Sequence, residues 1–408
     1  MQKPTQKEKA ALQDLARRYA EIAKHPSNAE RRTRARDIND LKPRRPIVWL
    51  DEIPWHEMDI DSKLQSTCES DFARSMEWHF RSTLFRWEYF QADMVVEDYY
   101  PISKAYYDSG MGLSINEDII ATDDRNYIVS HYFKDQLDTM EKVQAIKQPV
   151  ITAQPELDAA RLEFAQEVLG DILPVKLCGH YLYHAPWDEI PRYRGVTPIM
   201  YDLLDNPELI HATMKTWTDN KYSAMKQLEA QGLLGNDIAT LHCTPPYTND
   251  IADGNSLKNI WFRCMAQMFS DVSPATFKEF ELDYLMPLAA ECGLVYYGCC
   301  EALEKKIDLL RSIPNLRKIG VSPQANPESC AEQIKGDYVY AYKPNPAHVA
   351  TTFSTKTVRD EIQRVIDTCT ANGCAYEFVL KDISTVGYKP QNLIDWTHTV
   401  METIDGAY

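Results

Sequence analysis

The segment 298–301 (Gly-Cys-Cys-Glu) places two cysteines and a glutamate directly after an apolar run, and these residue types bind metals. Side chains alternate between the faces of a strand, so Cys299 and Glu301 share one face if the strand continues, with Cys300 on the other. A thiolate and a carboxylate two residues apart are suitable zinc ligands. The alternative is that both cysteines are small buried residues and that Glu301 opens the next helix as an N-terminal carboxylate. A third ligand must come from another strand, and the candidates are His180, His242 and Asp382.

Polar and aromatic residues follow other apolar runs as well, and together they predict a pocket at one end of a parallel sheet. In a β/α barrel the active site lies at the carboxyl ends of the strands. His242 contacts a substrate or metal there, or it is a hydrogen-bonded structural histidine. Arg263 and Lys343 are suited to an anionic group, although Lys343 is equally consistent with a surface lysine. The other predicted substrate contacts are His180, Trp187, Tyr247 and Tyr100. The same windows also contain Glu52, Asp188 and Lys381.

Alternating strands and helices must position these residues. Short apolar, β-branched runs predict strands at 293–297, 316–321, 337–341 and 375–380, separated by helical patterns. Earlier runs predict strands at 46–50, 93–97, 173–178, 237–243 and 260–268. Strands that alternate with helices of about 10–15 residues indicate β–α–β units and a parallel sheet. We therefore predict an α/β fold, specifically a (β/α)8 TIM barrel.

The barrel is predicted to carry two additions. Residues 1–45 are rich in Ala, Leu, Lys, Glu and Arg and predict an N-terminal helical extension. Residues 46–408 contain no obvious linker and predict a single barrel domain. The mixed polar stretch at 104–172 predicts an insertion after the second strand, with a helix near 155–170.

Composition and charge exclude several classes of function. The chain has 408 residues, with 44 Lys and Arg against 60 Asp and Glu, giving a net charge of −16. This charge opposes binding to nucleic acid or to an anionic membrane. No apolar run approaches the ~18 residues that cross a bilayer, and the N-terminus lacks a signal-peptide core. The ten cysteines are scattered and predict free thiols in a reducing, cytoplasmic setting.

A longer pattern surrounds the two cysteines. Gln267 is followed by 271–280 (DVSPATFKEF), then by Pro287 and the strand that leads into Cys299. This pattern resembles the uroporphyrinogen decarboxylase superfamily, in which S-P-x-x-F-x-x-F opens the helix before a central barrel strand. The segments 206–211 (NPELIH) and 390–393 (PQNL) resemble it too. The resemblance extends over about 46–408 and is specific at 271–301.

The resemblance implies one of two chemistries. Decarboxylases of the superfamily carry an arginine-bearing segment after the first strand, but 49–56 (WLDEIPWH) has no arginine here. The other branch comprises cobalamin-dependent methyltransferases that hold zinc through a His-x-Cys pair and a cysteine after the last strand. Those positions fall on Cys299, Glu301 and Asp382, or on Cys300 after a one-residue shift. The residue types differ from those of the family, but all can bind a metal.

We therefore predict a methyltransferase that moves a methyl group between a small O-methyl or N-methyl compound and a corrinoid on a partner protein. Zinc would polarise the leaving atom or activate a thiol. Otherwise Glu301 or Asp382 would protonate the leaving group, while His242 orients the substrate. A homodimer is also predicted. The alternatives are a metal-independent lyase or decarboxylase acting on a small organic acid, and a non-catalytic ligand-binding protein.

Overall fold

The computed structural model describes residues 3–121, 129–237 and 240–408. Its strands are β1 (Ile47–Leu50), β2 (Tyr100–Ser103), β3 (Tyr106–Asp108), β4 (Glu117–Ile120), β5 (Ser130–Phe133), β6 (Ile151–Ala153), β7 (Val175–Cys178), β8 (Leu182–His184), β9 (Trp261–Cys264), β10 (Leu294–Tyr297), β11 (Leu316–Val321), β12 (Val339–Tyr342) and β13 (Ala375–Leu380).

The α-helices are α1 (Gln6–Ala23), α2 (Ser27–Asn39), α3 (Asp71–Tyr89), α4 (Met140–Gln144), α5 (Pro155–Leu169), α6 (Pro186–Glu189), α7 (Pro191–Arg194), α8 (Val196–Asp205), α9 (Pro207–Ala230), α10 (Pro274–Phe277), α11 (Asp283–Ala289), α12 (Ile307–Leu310), α13 (Pro327–Ile334), α14 (Ala347–Ala350), α15 (Thr355–Ala371) and α16 (Pro390–Ala407). A π-helix, Lys278–Leu282, joins α10 to α11. Over the described ranges, no helix is both long and apolar enough to cross a membrane.

Seven parallel strands form the central sheet, in the order β1-β13-β12-β11-β10-β9-β8. The predicted α/β class with a parallel sheet is confirmed. The predicted closed barrel is not, because β2 and β7 pair separately and the ring does not close within the described residues.

Two predicted strands account for this difference. The predicted strand 237–243 includes positions 238–239, which lie outside the described residues. Its described part instead turns, with Leu241 bridging Thr244 and with His242 and Cys243 at positive φ. The predicted strand 93–97 is not a strand: the Asp93 N–H donates to Val48 O at 3.0 Å, but the Val48 N–H donates to the Asp93 side chain at 2.9 Å and not to a backbone carbonyl.

Alternation along the strands separates two environments. Outward-facing side chains such as Phe262, Tyr297 and Phe378 pack into the main core against the helices. Inward-facing residues include apolar side chains, such as Trp261 and Leu294, and a row of polar and charged ones. Tyr183, Arg263, Tyr296 and Lys318 are successive cross-strand partners on β8, β9, β10 and β11. The sheet therefore encloses a charged interior below the carboxyl ends of its strands.

The N-terminal helices cover this sheet, and the insertion lies between β2 and β7. Helix α1 begins with a capping box in which Thr5 and Glu8 satisfy each other's backbone N–H groups. The insertion contains the antiparallel pairs β3–β6 and β4–β5 together with α4 and α5. The predicted helix near 155–170 is present as α5.

Candidate functional site

Gly298 ends the strand pleat just before the two cysteines. Its φ is +91°, a conformation that residues other than glycine rarely adopt. A Cβ there would lie 2.5 Å from Cδ1 of Leu303. Because the chain turns at this point, Cys299 and Cys300 do not take opposite faces, and their Sγ atoms are 3.6 Å apart. The strand pleat therefore does not continue through Glu301.

Lys381 and Asp382, immediately after β13, meet the two thiols. Lys381 Nζ lies 3.0 Å from Cys299 Sγ and 2.8 Å from Asp382 Oδ1. Cys300 Sγ donates to Asp382 Oδ2 at 2.7 Å. Glu52, which follows β1, places Oε2 at 3.2 Å from Lys381 Nζ. We call Cys299, Cys300, Lys381, Asp382 and Glu52 the thiol cluster.

The surroundings of Cys299 favour its thiolate form. The contact with the Cys300 sulfur at 3.6 Å is the largest influence that holds the pKa of Cys299 well below its usual value, and His242, Arg263 and Lys381 add to it against the opposing influence of burial. The same contact, together with burial, raises the pKa of Cys300. These shifts favour the thiolate at Cys299 and the thiol at Cys300.

The pKa values of Asp382 and His242 are also shifted. Burial alone would raise the pKa of Asp382, but Lys381 and Cys300 outweigh it and hold that pKa below its usual value. Burial lowers the pKa of His242, and its neighbour Cys299 opposes the shift. These shifts favour the carboxylate of Asp382 and the neutral imidazole of His242.

Two sets of side chains can bring three ligand atoms within 4.8 Å of one another. The first is Cys299, Cys300 and Asp382, and the second is Glu52, His242 and Cys243. Sulfur, carboxylate and imidazole ligands suit Zn²⁺, so the donor chemistry fits that ion. The Lys381 ammonium contacts two atoms of the first set, so a metal cation has to displace it.

Glu301 lies next to the thiol cluster, and its carboxylate binds backbone N–H groups. Its carboxylate accepts the Cys299 N–H at 2.8 Å and the Ala266 N–H at 3.1 Å, and it is almost fully buried. Burial and the nearby Cys299 raise its pKa. The structure thus places Glu301 where it ties the ends of β9 and β10 together, and it belongs to neither three-ligand set.

Arg263 and Lys343 lie in the charged interior beside the cluster. Lys343 Nζ donates to Tyr296 Oη at 2.6 Å, and the Arg263 guanidinium lies 3.9 Å from the centroid of the same ring. Lys343 is 2% exposed, which rules out the surface alternative for this residue. Lys318, the cross-strand partner of Tyr296, pairs with Glu377 at 2.8 Å.

His180 and Trp187 lie outside the cluster, each for a local reason. His180 Nε2 is hydrogen-bonded to Lys104 O at 2.6 Å, and its ring packs edge-on against Tyr106. Trp187 is buried, donates Nε1–H to Phe280 O and stacks on Phe269. Both contacts are structural, so the structure does not bring these predicted substrate contacts to the thiol cluster.

Tyr247 and Tyr100 are farther away. Tyr247 donates its hydroxyl to Glu97 and packs with Ile47 and Val339, at the amino ends of β1 and β12. It is therefore at the opposite end of the sheet. Tyr100 packs on His79 in the separate core below α1.

Three important residues were not assigned from the sequence. Glu52, Asp188 and Lys381 stand in strand-end windows, which was the available signal, but nothing local marks them as partners of Cys299. Asp188 Oδ2 accepts from Gln267 Nε2 at 3.0 Å. Burial, with Glu301 and Cys299 nearby, raises the pKa of Asp188 to about 6.

No protein-family model matches the sequence, and no curated protein matches it. In a comparison of structures, the chain is similar to a methyltransferase from Methanosarcina mazei, with 11% identity, a TM-score of 0.49, and coverage of 93% of this chain and 99% of that one. That likeness is too weak to bear on activity. The resemblance to the uroporphyrinogen decarboxylase superfamily therefore stays a prediction.

Proposed function

We propose that this protein is a methyltransferase that moves a methyl group between a small O-methyl or N-methyl compound and a corrinoid carried on a separate protein. The observation that supports it is the thiol cluster, in which the Cys299 thiolate, the Cys300 thiol and the Asp382 carboxylate converge at the carboxyl ends of a parallel sheet. The proposal includes a cytoplasmic homodimer, and all ten cysteines are free thiols.

Zinc is the metal that the donor set suits, with Cys299, Cys300 and Asp382 as ligands, and it would supply Lewis-acid polarisation of the leaving atom. The chain's own residues provide the remaining chemistry. Asp382 accepts the S–H of Cys300, and Cys299 is the member of the thiol pair whose pKa is lowered. The Lys381 ammonium balances this negative charge.

A proton donor is needed when the methyl group leaves an oxygen or nitrogen. Asp382 is a poor acid because its pKa is below the usual value, and the Glu301 carboxylate is occupied by two backbone N–H groups. Asp188, with a pKa of about 6 and a half-buried carboxyl beside Tyr183, is the better donor. We assign it the role of general acid.

One observation favours a second candidate. The Lys381 ammonium already occupies the place of a cation between Cys299, Asp382 and Glu52. A site that keeps this lysine needs no metal, which suits the metal-independent lyase or decarboxylase acting on a small organic acid. The two candidates differ in metal content and in the need for a corrinoid.

Metal content and methyl transfer distinguish them. Zinc is quantified by elemental mass spectrometry in the wild type and in Cys299→Ser, Cys300→Ser and Asp382→Asn, with Cys330→Ser, a buried cysteine of α13, as the matched control. Methylation of cob(I)alamin is followed by absorbance with a panel of methoxy and methylamino compounds. We expect about one zinc per chain, lost in the cluster variants only, together with methyl transfer. A metal-free wild type that converts an organic acid without corrinoid would establish the lyase instead.

A further inference from the structure

Arg263 has one edge of its guanidinium without a partner. The side chain is fully buried, and its Nη1 donates to the carbonyl oxygens of Cys264 at 2.6 Å and of Tyr296 at 3.4 Å. Within residues 3–121, 129–237 and 240–408, nothing accepts a hydrogen bond from Nε or Nη2. A buried charged donor without a partner is strongly unfavourable, so this edge requires an acceptor that the described residues do not supply.

The free edge of Arg263 consists of Nε and Nη2, and other arginines of this chain bind carboxylates through the same two atoms. Arg194 uses Nε and Nη2 to bind the two oxygens of Asp135 at 3.0 and 2.9 Å. Arg364 uses the same two atoms on Glu328 at 2.6 and 2.7 Å. The parallel N–H groups of this edge match the spacing of carboxylate oxygens.

The positive charges of Arg263 and Lys343 also favour the binding of an anion. Among the described residues, neither Arg263 nor Lys343 forms an ion pair with a carboxylate, whereas Lys318 has Glu377 and Lys381 has Asp382. Arg263 and Lys343 both contact the neutral phenol of Tyr296. Two buried cations therefore contact one ring without an ion-pair partner in the described part of the chain, and against the effect of burial the nearby Tyr296 and the Cys299 sulfur raise the pKa of both.

We propose that the free edge of Arg263 binds the carboxylate of the substrate, so that the enzyme acts on a small methylated carboxylic acid. The identification of the bound acid as a methyl donor or acceptor rests on the function proposed above, whereas the anion site itself does not. Half-buried Tyr183 is the cross-strand partner of Arg263 and packs against half-buried His242. Lys343, which donates to Tyr296 Oη, adds positive charge.

Cys299 serves as a reporter for this site. Iodoacetate and iodoacetamide are nearly the same size, but only the former carries a carboxylate. Each reacts with the same thiolate, forming an S–C bond as the C–I bond breaks and iodide leaves. The ratio of the two rates therefore does not depend on the thiolate fraction. Rates are measured on chelator-treated full-length protein by quenching and peptide mass spectrometry, and the ratio is normalised to that of free cysteine.

We expect the normalised iodoacetate preference at Cys299 to be about tenfold, as for one charge-assisted interaction, with saturation in iodoacetate. Acetate should protect Cys299, and acetamide should not. Arg263→Gln should reduce the preference to that of free cysteine, and Arg263→Lys should keep only part of it. Arg364→Gln, which removes the same edge at the surface, should change nothing.

Three results would overturn the proposal: no preference in the wild type, the same preference in Arg263→Gln, or no reaction of Cys299 with either reagent under conditions that label the unfolded chain. If Arg263→Gln does not fold, equal protection of the wild type by acetate and acetamide would also overturn it. The assay contains no metal, methyl compound or corrinoid. A positive result without methyl transfer would therefore reject the methyltransferase and keep the anion site.

Discussion

Replacing Lys381 with methionine tests whether its ammonium stabilises the Cys299 thiolate. The charged atoms are 3.0 Å apart, and Lys381 is 3% exposed. Two unit charges at that distance attract by about 5–6 kcal/mol at an effective dielectric of about 20, which is an upper limit. Hydrogen bonds to charged groups contribute about 1.5–3 kcal/mol, equivalent to about 1–2 pKa units. Lys381→Met should therefore raise the pKa of Cys299 by about 1–2 units.

The assay is the rate of Cys299 alkylation by iodoacetamide between pH 4 and pH 10, on chelator-treated protein, with the modified peptide identified by mass spectrometry. The midpoint of the rate profile reports the thiol pKa. Asp382→Asn removes a nearby negative charge and should not raise the midpoint. Lys305→Met, at an exposed position, is the matched control. An unchanged midpoint in Lys381→Met, or an equal rise in Lys305→Met, would refute the proposed contact.

Two further predictions concern the positions around the cluster. Gly298→Ala should lower the free energy of unfolding by about 1–3 kcal/mol, because its φ is +91° and a Cβ would lie 2.5 Å from Leu303 Cδ1; chemical denaturation should show no comparable loss for Gly406→Ala, whose Cβ has open space. Burial raises the pKa of Asp188 to about 6, so the folded state binds more protons than the unfolded chain between about pH 4 and pH 6. The free energy of unfolding should therefore fall by up to about 3 kcal/mol as the pH rises through this window. In Asp188→Asn, the free energies of unfolding from denaturation curves at pH 4 and pH 7 should no longer differ by this amount. An unchanged difference would contradict the assignment.

The last third of the chain was predictable because its signals are local. The predicted strands 316–321 and 375–380 coincide with β11 and β13, and α13 lies between two predicted strands, as the alternation requires. Apolar runs and helix caps act over a few residues, so one sequence suffices to recognise them. The Ser273 cap is likewise present, with its hydroxyl accepting the Thr276 N–H at 3.1 Å.

The candidate site was only partly predictable. The strand-end windows contained Cys299, His242, Arg263, Lys343 and Asp382, which the structure brings to one end of the sheet. They also contained His180, Trp187 and Tyr247, which the structure uses elsewhere. A window shows that a residue follows a strand, but it does not show which way the chain turns afterwards. Tyr247 follows such a run and nevertheless lies at the opposite end.

The sequence by itself determined the α/β alternation, the parallel sheet and the group of residue types at its carboxyl edge, because strand and helix periodicity depend on neighbouring residues. Tertiary structure decided which atoms meet. Cys299 receives its counter-charge from Lys381, 82 residues away in the chain. The Nε and Nη2 atoms of Arg263 are free because no acceptor on the described neighbouring strands reaches them. Thiol ionisation and anion binding depend on distances and burial between distant segments, and those quantities exist only in the folded chain.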